Sequence, residues 1–246
     1  AVAAVTISGN LMFAVMAVTQ MLAVGTTTLV SHAVGRKDRD RALLVFNQAQ
    51  VLSALAGAVF LAVGLMGRPL YARAMSADAV TASLASNYLL WFIPASALQF
   101  AMVAMAAALR GTGNFKPGMI VQTATVLLNM ALAPILIFGW GPVPPLGVTG
   151  AALATFIAVA VGTGWLFFYF RPAGAYLRFL PADWRPRLDL WRSLLGIGLP
   201  AGAEFALMAV YLVIVYAVIR PFGAVAQAGF GIGMRILQAG FMPVVA

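Results

Sequence analysis

Glu204 is the one acid inside a long apolar stretch, in Gly198-Leu199-Pro200-Ala201-Gly202-Ala203-Glu204, and it has the greatest capacity for chemistry in this sequence. An ionised group near the centre of a bilayer costs about 3 kcal/mol on insertion scales, so an acid kept there usually faces a cavity or a partner. Burial disfavours the carboxylate form, which would let Glu204 take up and release a proton. Tyr211 lies seven residues further on and shares its helical face. Arg235, in Gly229-Phe230-Gly231-Ile232-Gly233-Met234-Arg235-Ile236, is the one base within an apolar stretch. It would pair with Glu204 across helices, line a pathway, or snorkel to the surface. The structural alternative for Glu204 is an acid hydrogen-bonded within the bundle or lying near the interface, about three turns after Arg192.

Asn10, Gln20, Gln99, Gln122 and Asn129 are amides at span positions. Such groups ordinarily bond across helices, and Gln99 and Asn129 are also candidates to line a cavity. Pro94 and Pro134 sit well inside apolar runs and Pro200 near the start of another. Each removes a backbone donor, so a bend or local unwinding is expected, either as a fixed kink or as a hinge around a central site.

Other chemistry is poorly supported. No Ser, His and acid arrangement and no intramembrane pair of Asp exists to suggest hydrolysis. Cysteine is absent and His32 is the only histidine, which excludes disulfides and argues against zinc. No cofactor is expected. Gly111-Thr112-Gly113-Asn114-Phe115-Lys116 lacks a preceding strand, and its Lys is followed by Pro117 where a phosphate loop needs Ser or Thr. A tight turn with Pro117 opening the next helix accounts for it. Twelve scattered Met residues read as packing, although flexible Met surfaces also suit varied apolar ligands.

The elements that must position these residues are membrane helices. Charge is nearly absent from 1–35, 42–67, 79–109, 117–170 and 193–219, and about 20 apolar residues suffice to cross a hydrocarbon core of about 30 Å. Gly139-Trp140-Gly141-Pro142-Val143-Pro144-Pro145 divides the longest run in two. The predicted spans are 5–34, 42–67, 79–109, 117–138, 147–170, 193–219 and 224–246, an all-α polytopic bundle of six full helices and a shortened seventh. Gly150, Ala154, Ala158 and Gly162 form a smooth ridge, and Gly198 with Gly202 a second, over which neighbouring helices can approach closely.

Fifteen Lys and Arg oppose six Asp and Glu, yet their placement between spans rejects a nucleic-acid surface. With the loop 36–41 in the cytoplasm, that side holds eleven basic residues against Arg68, Arg73 and Arg220 outside, the orientation chosen by the positive-inside rule. The segment Arg171 to Arg192 carries Pro172, Pro181 and Pro186 among Arg, Tyr176, Trp184 and Trp191. It is expected to lie at headgroup level, rings in the interface and guanidinium groups toward phosphates. The chain thus divides into 1–170, a cytoplasmic linker 171–192, and 193–246. The first residue is not Met and the last apolar stretch is short, so an internal fragment of a longer protein is expected.

Four strings occur in a telling order. Leu109-Arg110-Gly111-Thr112-Gly113-Asn114-Phe115-Lys116-Pro117-Gly118-Met119 resembles the LRGxGDxKxPM loop between helices four and five of multidrug and toxic compound extrusion (MATE) transporters. Asn129 to Gly139 resembles that family's NxxLxPxLIFG stretch, Leu146 to Thr155 its GVxGAAxAT opening of helix six, and Gly198 to Glu204 its seventh-helix start. The resemblance implies helices two to eight of a twelve-helix fold of two pseudo-symmetric six-helix lobes: 1–170 holds helices two to six, and 193–246 holds helices seven and eight. It also implies an antiporter coupled to H+ or Na+ that exports diverse, often cationic, small organic compounds by alternating access. Such a protein would be a monomer in the bacterial cytoplasmic membrane.

Under that resemblance Glu204 becomes the coupling residue, although some branches place this acid about one turn later. Asn114 stands where the family loop has Asp, and this exchange is expected to affect a helix cap. Ala1-Val2-Ala3 recurs as Ala224-Val225-Ala226, in keeping with an internal repeat. A lipid-linked oligosaccharide or lipid flippase of the same superfamily is the nearest rival and calls for a basic cavity. A membrane assembly subunit without transport is the third reading.

Overall fold

The computed structural model describes residues 2–75, 79–139, 144–172, 175–219 and 233. Six long helices carry the fold: α1 Val2–Gly35, α2 Arg39–Met75, α3 Ala79–Gly111, α4 Lys116–Phe138, α5 Gly147–Tyr169 and α6 Leu188–Ile219. A single 3-10 turn, Pro181–Trp184, precedes α6, and no strand occurs among the described residues. Five stretches, Leu11–Gly35, Arg39–Arg73, Ala82–Gly111, Lys116–Phe138 and Gly147–Tyr169, are long and apolar enough to cross a membrane. The seventh predicted span, 224–246, lies outside the described residues except for Gly233, and Arg235 with its pairing to Glu204 lies outside them.

α2 overruns its predicted span, continuing through Arg68 and Pro69 to Met75. Its 37 residues at 1.5 Å each extend about 55 Å, well beyond a hydrocarbon core, so charges at both ends can stand in water without ending the helix. Pro69, Pro94, Pro134 and Pro200 all sit inside continuous helices. The local unwinding expected at the last three is therefore not found. Neighbouring helices and small backbone adjustments accommodate the lost donor in such bundles.

α3 occupies the centre, packed against α1, α2 and α5, while α4 lies on α5 and α6 runs along α1. Small residues set these approaches. Gly150, Ala154, Ala158 and Gly162 are all buried, as the ridge on α5 requires. A side chain at Gly150 would strike the Leu136 carbonyl, and one at Gly162 would strike the Thr125 hydroxyl. Between α1 and α6 the contact is backbone to backbone: Gly198 faces the carbonyl of Met21, Gly202 that of Ala17, and Gly25 that of Leu194. Lipid offers helices no hydrophobic drive to associate, so close van der Waals packing of this kind holds them.

The turns follow the residues that make them. Gly113 takes φ +80° after α3, and Pro117 lies in the first turn of α4. Asn114 does not cap that helix. The N-cap position is Phe115, which makes no side-chain cap bond, and the Asn114 amide instead donates to the Tyr169 hydroxyl at 3.3 Å, reaching across to the end of α5. At the other end of α4, Gly139 has φ +75° and its N–H bonds the Ile135 carbonyl at 3.0 Å. A Cβ there would lie 2.6 Å from Pro145 N. Gly139→Ala is expected to destabilise by about 1–2 kcal/mol from the left-handed backbone alone, read as a lower melting temperature of the detergent-solubilised protein.

The segment after α5 is tied to α2 by side-chain hydrogen bonds. Asn47 and Gln48 on α2 are fully buried, and both reach into this segment. Asn47 donates to the Arg178 carbonyl at 3.0 Å and accepts from the Leu180 N–H at 2.9 Å and the Trp184 indole at 3.2 Å. Gln48 donates to the carbonyls of Asp183 at 2.6 Å and Arg185 at 2.7 Å. It accepts from the Arg187 N–H at 2.9 Å and the Trp191 indole at 3.0 Å. Both indole N–H groups thus turn to buried amides, because an amide shut away from water must find partners, while the Trp184 ring stays exposed. Beneath them Phe46 stacks 4.6 Å from Phe170 and 5.3 Å from Phe179. Arg171, Arg185, Arg187 and Arg192 remain exposed.

Candidate functional site

Along α4, Gln122, Thr125, Val126 and Asn129 recur at intervals of three and four, so they line one helical face. Gln99, Met102 and Val103 do the same on α3, and Thr155, Ala158 and Val159 on α5. These three faces line an open cavity of about 410 Å³. Packing of α5 against both α3 and α4 brings them together, and the small ridge on α5 leaves room between larger side chains.

Depth follows from helix geometry. Gln122 is six residues and Asn129 thirteen residues beyond the start of α4 at Lys116, which at 1.5 Å per residue is about 9 and about 20 Å. The cavity therefore occupies the middle of the span. Its hydroxyls are oriented: Thr155 donates to the Ala151 carbonyl at 3.1 Å and accepts from the Asn129 amide at 3.1 Å. Thr125 donates to the Val121 carbonyl at 2.8 Å. Gln99 and Gln122 make no hydrogen bond among the described residues, which leaves two amides able to donate or accept. The lining carries no formal charge. It can hold a ligand by amide dipoles and by the soft thioether of Met102, and it offers neither nucleophile nor general base. No group of three or more His, Cys, Asp or Glu that could hold a metal occurs among the described residues.

Of the candidates read from sequence, Gln99 and Asn129 meet in this cavity. Glu204 and Tyr211 do not join them. Both are exposed on α6, which packs on α1 and, more lightly, α2. Glu204 lies sixteen residues into a 32-residue helix, about 24 Å from its start. Pro94, Pro134 and Pro200 stand within α3, α4 and α6. Thr125 and Thr155 belong to the cavity and were missed in the sequence. The signal was there, since Gln122, Thr125 and Asn129 follow the spacing of one face.

The MatE family model matches residues 1–135. The chain is 27% identical to the probable multidrug resistance protein YoeA of Bacillus subtilis, over 100% of this chain and 54% of that protein. It is also 27% identical to the probable multidrug resistance protein NorM of Thermotoga maritima, over 99% of this chain and 52% of that protein. It thus spans about half the length of the curated relatives it matches. Among solved structures, a MATE crystal structure in complex with MaD3S superposes with a TM-score of 0.91 at 24% identity, over 99% of this chain and 55% of that one. A MOP superfamily transporter from Pyrococcus furiosus superposes with a TM-score of 0.88 at 24% identity, over 99% and 53%. With a family match over more than half its length and an all-α fold shared with these transporters, the chain is a multi-pass membrane protein and belongs to the MatE family.

Proposed function

We propose that the protein is a multidrug exporter of the bacterial cytoplasmic membrane, coupled to H+ or Na+, that moves diverse small organic compounds, often cationic, by alternating access. The observation that carries this reading is the uncharged, amide-lined cavity at mid-membrane depth in a MatE bundle. Amides and a thioether grip many ligands weakly and few ligands tightly, which suits a broad substrate range. Relatives named as multidrug resistance and multidrug export proteins support the same reading. Residues 1–170 belong to one lobe and 193–246 open the second, with Pro94, Pro134 and Pro200 as bending points. Glu204, midway along α6 with Tyr211 on its face, alternately binds the coupling cation and faces the substrate path. Thermodynamic linkage then makes the two ligands compete.

The flippase alternative calls for a basic cavity, and the cavity described here is neutral. The test is fluorescent-cation efflux from cells expressing the full-length protein, with proton and sodium gradients collapsed separately. Loss of efflux with one gradient is expected, together with a fall of about tenfold in gradient-driven efflux for Glu204→Gln, equivalent to about 1.4 kcal/mol. Unchanged efflux in that variant removes Glu204 from the mechanism, and no efflux under any gradient removes the exporter reading.

A further inference from the structure

Two adjacent amides on α2 make seven hydrogen bonds to the segment that leads into α6. From Asn47 and Gln48 the bonds run to Arg178, Leu180, Asp183, Trp184, Arg185, Arg187 and Trp191. They therefore hold the segment from Arg178 to the first turn of α6. A carboxamide has this capacity because each side chain offers two N–H donors and an oxygen that accepts twice. A carboxylate would lose the donors, and an aliphatic residue would lose both. Asn47 holds its place through a further bond to the Leu43 carbonyl at 2.9 Å.

A second clamp lies about two turns nearer the start of α2. The Arg39 guanidinium donates to the carbonyls of Ala175 at 2.9 Å and Tyr176 at 3.3 Å and lies 5.6 Å from the centre of the Tyr176 ring. Leu177, Leu190 and Leu194 are buried in the same core as Phe46, Val30 and Leu43. The segment has no independent packing unit to follow. Its polar and apolar attachments both lead to α1, α2 and α5.

We infer that Asn47 and Gln48 form a clasp that makes the segment 175–191 a rigid part of the α1–α5 body, so that movement between lobes is displaced into α6 beyond Gly202, where its close seam with α1 ends. A flexible tether would let the lobes rotate about the linker, whereas a clasped one forces α6 itself to bend. Asn47 and Gln48 are positioning residues in this account. Neither lines the cavity, and their loss leaves the ligand-binding groups untouched. The inference builds on the alternating-access reading, but the clasp is measured without any transport assay.

The experiment is double electron–electron resonance on the full-length protein in proteoliposomes, with spin labels on exposed pairs. Arg41→Cys with Ala182→Cys reports the segment against α2, and Met12→Cys with Val210→Cys reports the far half of α6 against α1. The expected result is a narrow Arg41–Ala182 distance that stays fixed when substrate, proton or sodium gradients shift the Met12–Val210 distance. Asn47→Ala with Gln48→Ala, or the milder Trp184→Phe with Trp191→Phe should the amide variant misfold, broadens the first distance. In transport, turnover falls several-fold while KM is unchanged. A native Arg41–Ala182 distance that shifts with the lobe pair overturns the clasp, and so does a narrow distribution in both variants. A Met12–Val210 distance that never moves overturns alternating access instead, and the first pair still reports on the clasp.

Discussion

Replacing Gly198 with valine is expected to drive α6 off α1 and remove most of the folded protein from the membrane. The site of a Cβ on Gly198 falls on the main-chain carbonyl of Met21, and a backbone atom cannot swing aside as a side-chain tip can. Sliding is blocked as well. Gly25 against the Leu194 carbonyl and Gly202 against that of Ala17 fix the register on either side. The helices must separate over three contacts at once, so the penalty lies at or above the upper end of the roughly 1–3 kcal/mol usual for overpacking. Size-exclusion chromatography in mild detergent and a melting curve measure it. Gly196→Ala is the control, since nothing lies within 4 Å of its Cβ site, and helix propensity predicts a neutral or slightly stabilising effect of up to about 1 kcal/mol. Equal melting temperatures for Gly198→Val and the unmodified protein would show that this seam does not hold the bundle.

The second large effect concerns transport with the fold retained. Gln99→Leu combined with Asn129→Leu keeps the lining at similar volume and removes two of its three amides. One described hydrogen bond is lost, from Asn129 to Thr155, a net cost of about 1 kcal/mol, so the protein should still reach the membrane. Efflux efficiency should fall by about tenfold to a hundredfold, corresponding to about 1.4–2.7 kcal/mol of lost transition-state stabilisation. Efflux measured at matched membrane abundance tests this. Polar and cationic substrates should suffer more than purely apolar ones, because the loss is in dipoles and not in volume. Efflux that stays at the native level for every substrate would place the transport path elsewhere.

Much of the architecture was legible because charge marks where a helix must leave the bilayer. The predicted ends of α3, α4 and α5 fall within about two residues of those observed. α2 escaped that logic: Arg68 looked like an end, but a helix need not stop where the hydrocarbon does. In the cavity, Gln99 and Asn129 stood out as amides in apolar runs, whereas Thr125 and Thr155 did not, since a threonine in a span can satisfy itself on its own helix. Asn47 and Gln48 were passed over for a different reason. Their partners lie more than 130 residues away along the chain, and no local pattern records such a pairing. The indoles of Trp184 and Trp191 were read by their usual preference for the interface, which gave no hint that their N–H groups bond two buried amides.

The seam between α1 and α6 also has a bearing on biosynthesis. Met21 and Gly198 are separated by roughly 180 residues, and at a translation rate of about 5–20 residues per second the second helix emerges on the order of ten to thirty seconds after the first. Throughout that interval α1 stands in the bilayer with its docking face occupied only by acyl chains. A face contoured by Ala17, Met21 and Gly25 tolerates that wait, since it presents lipid with a shallow apolar trough and no stranded polar group. The late arrival of α6 then replaces lipid with protein in a single docking step, so a nascent chain stalled in the segment between α5 and α6 should be caught with that trough still open to lipid.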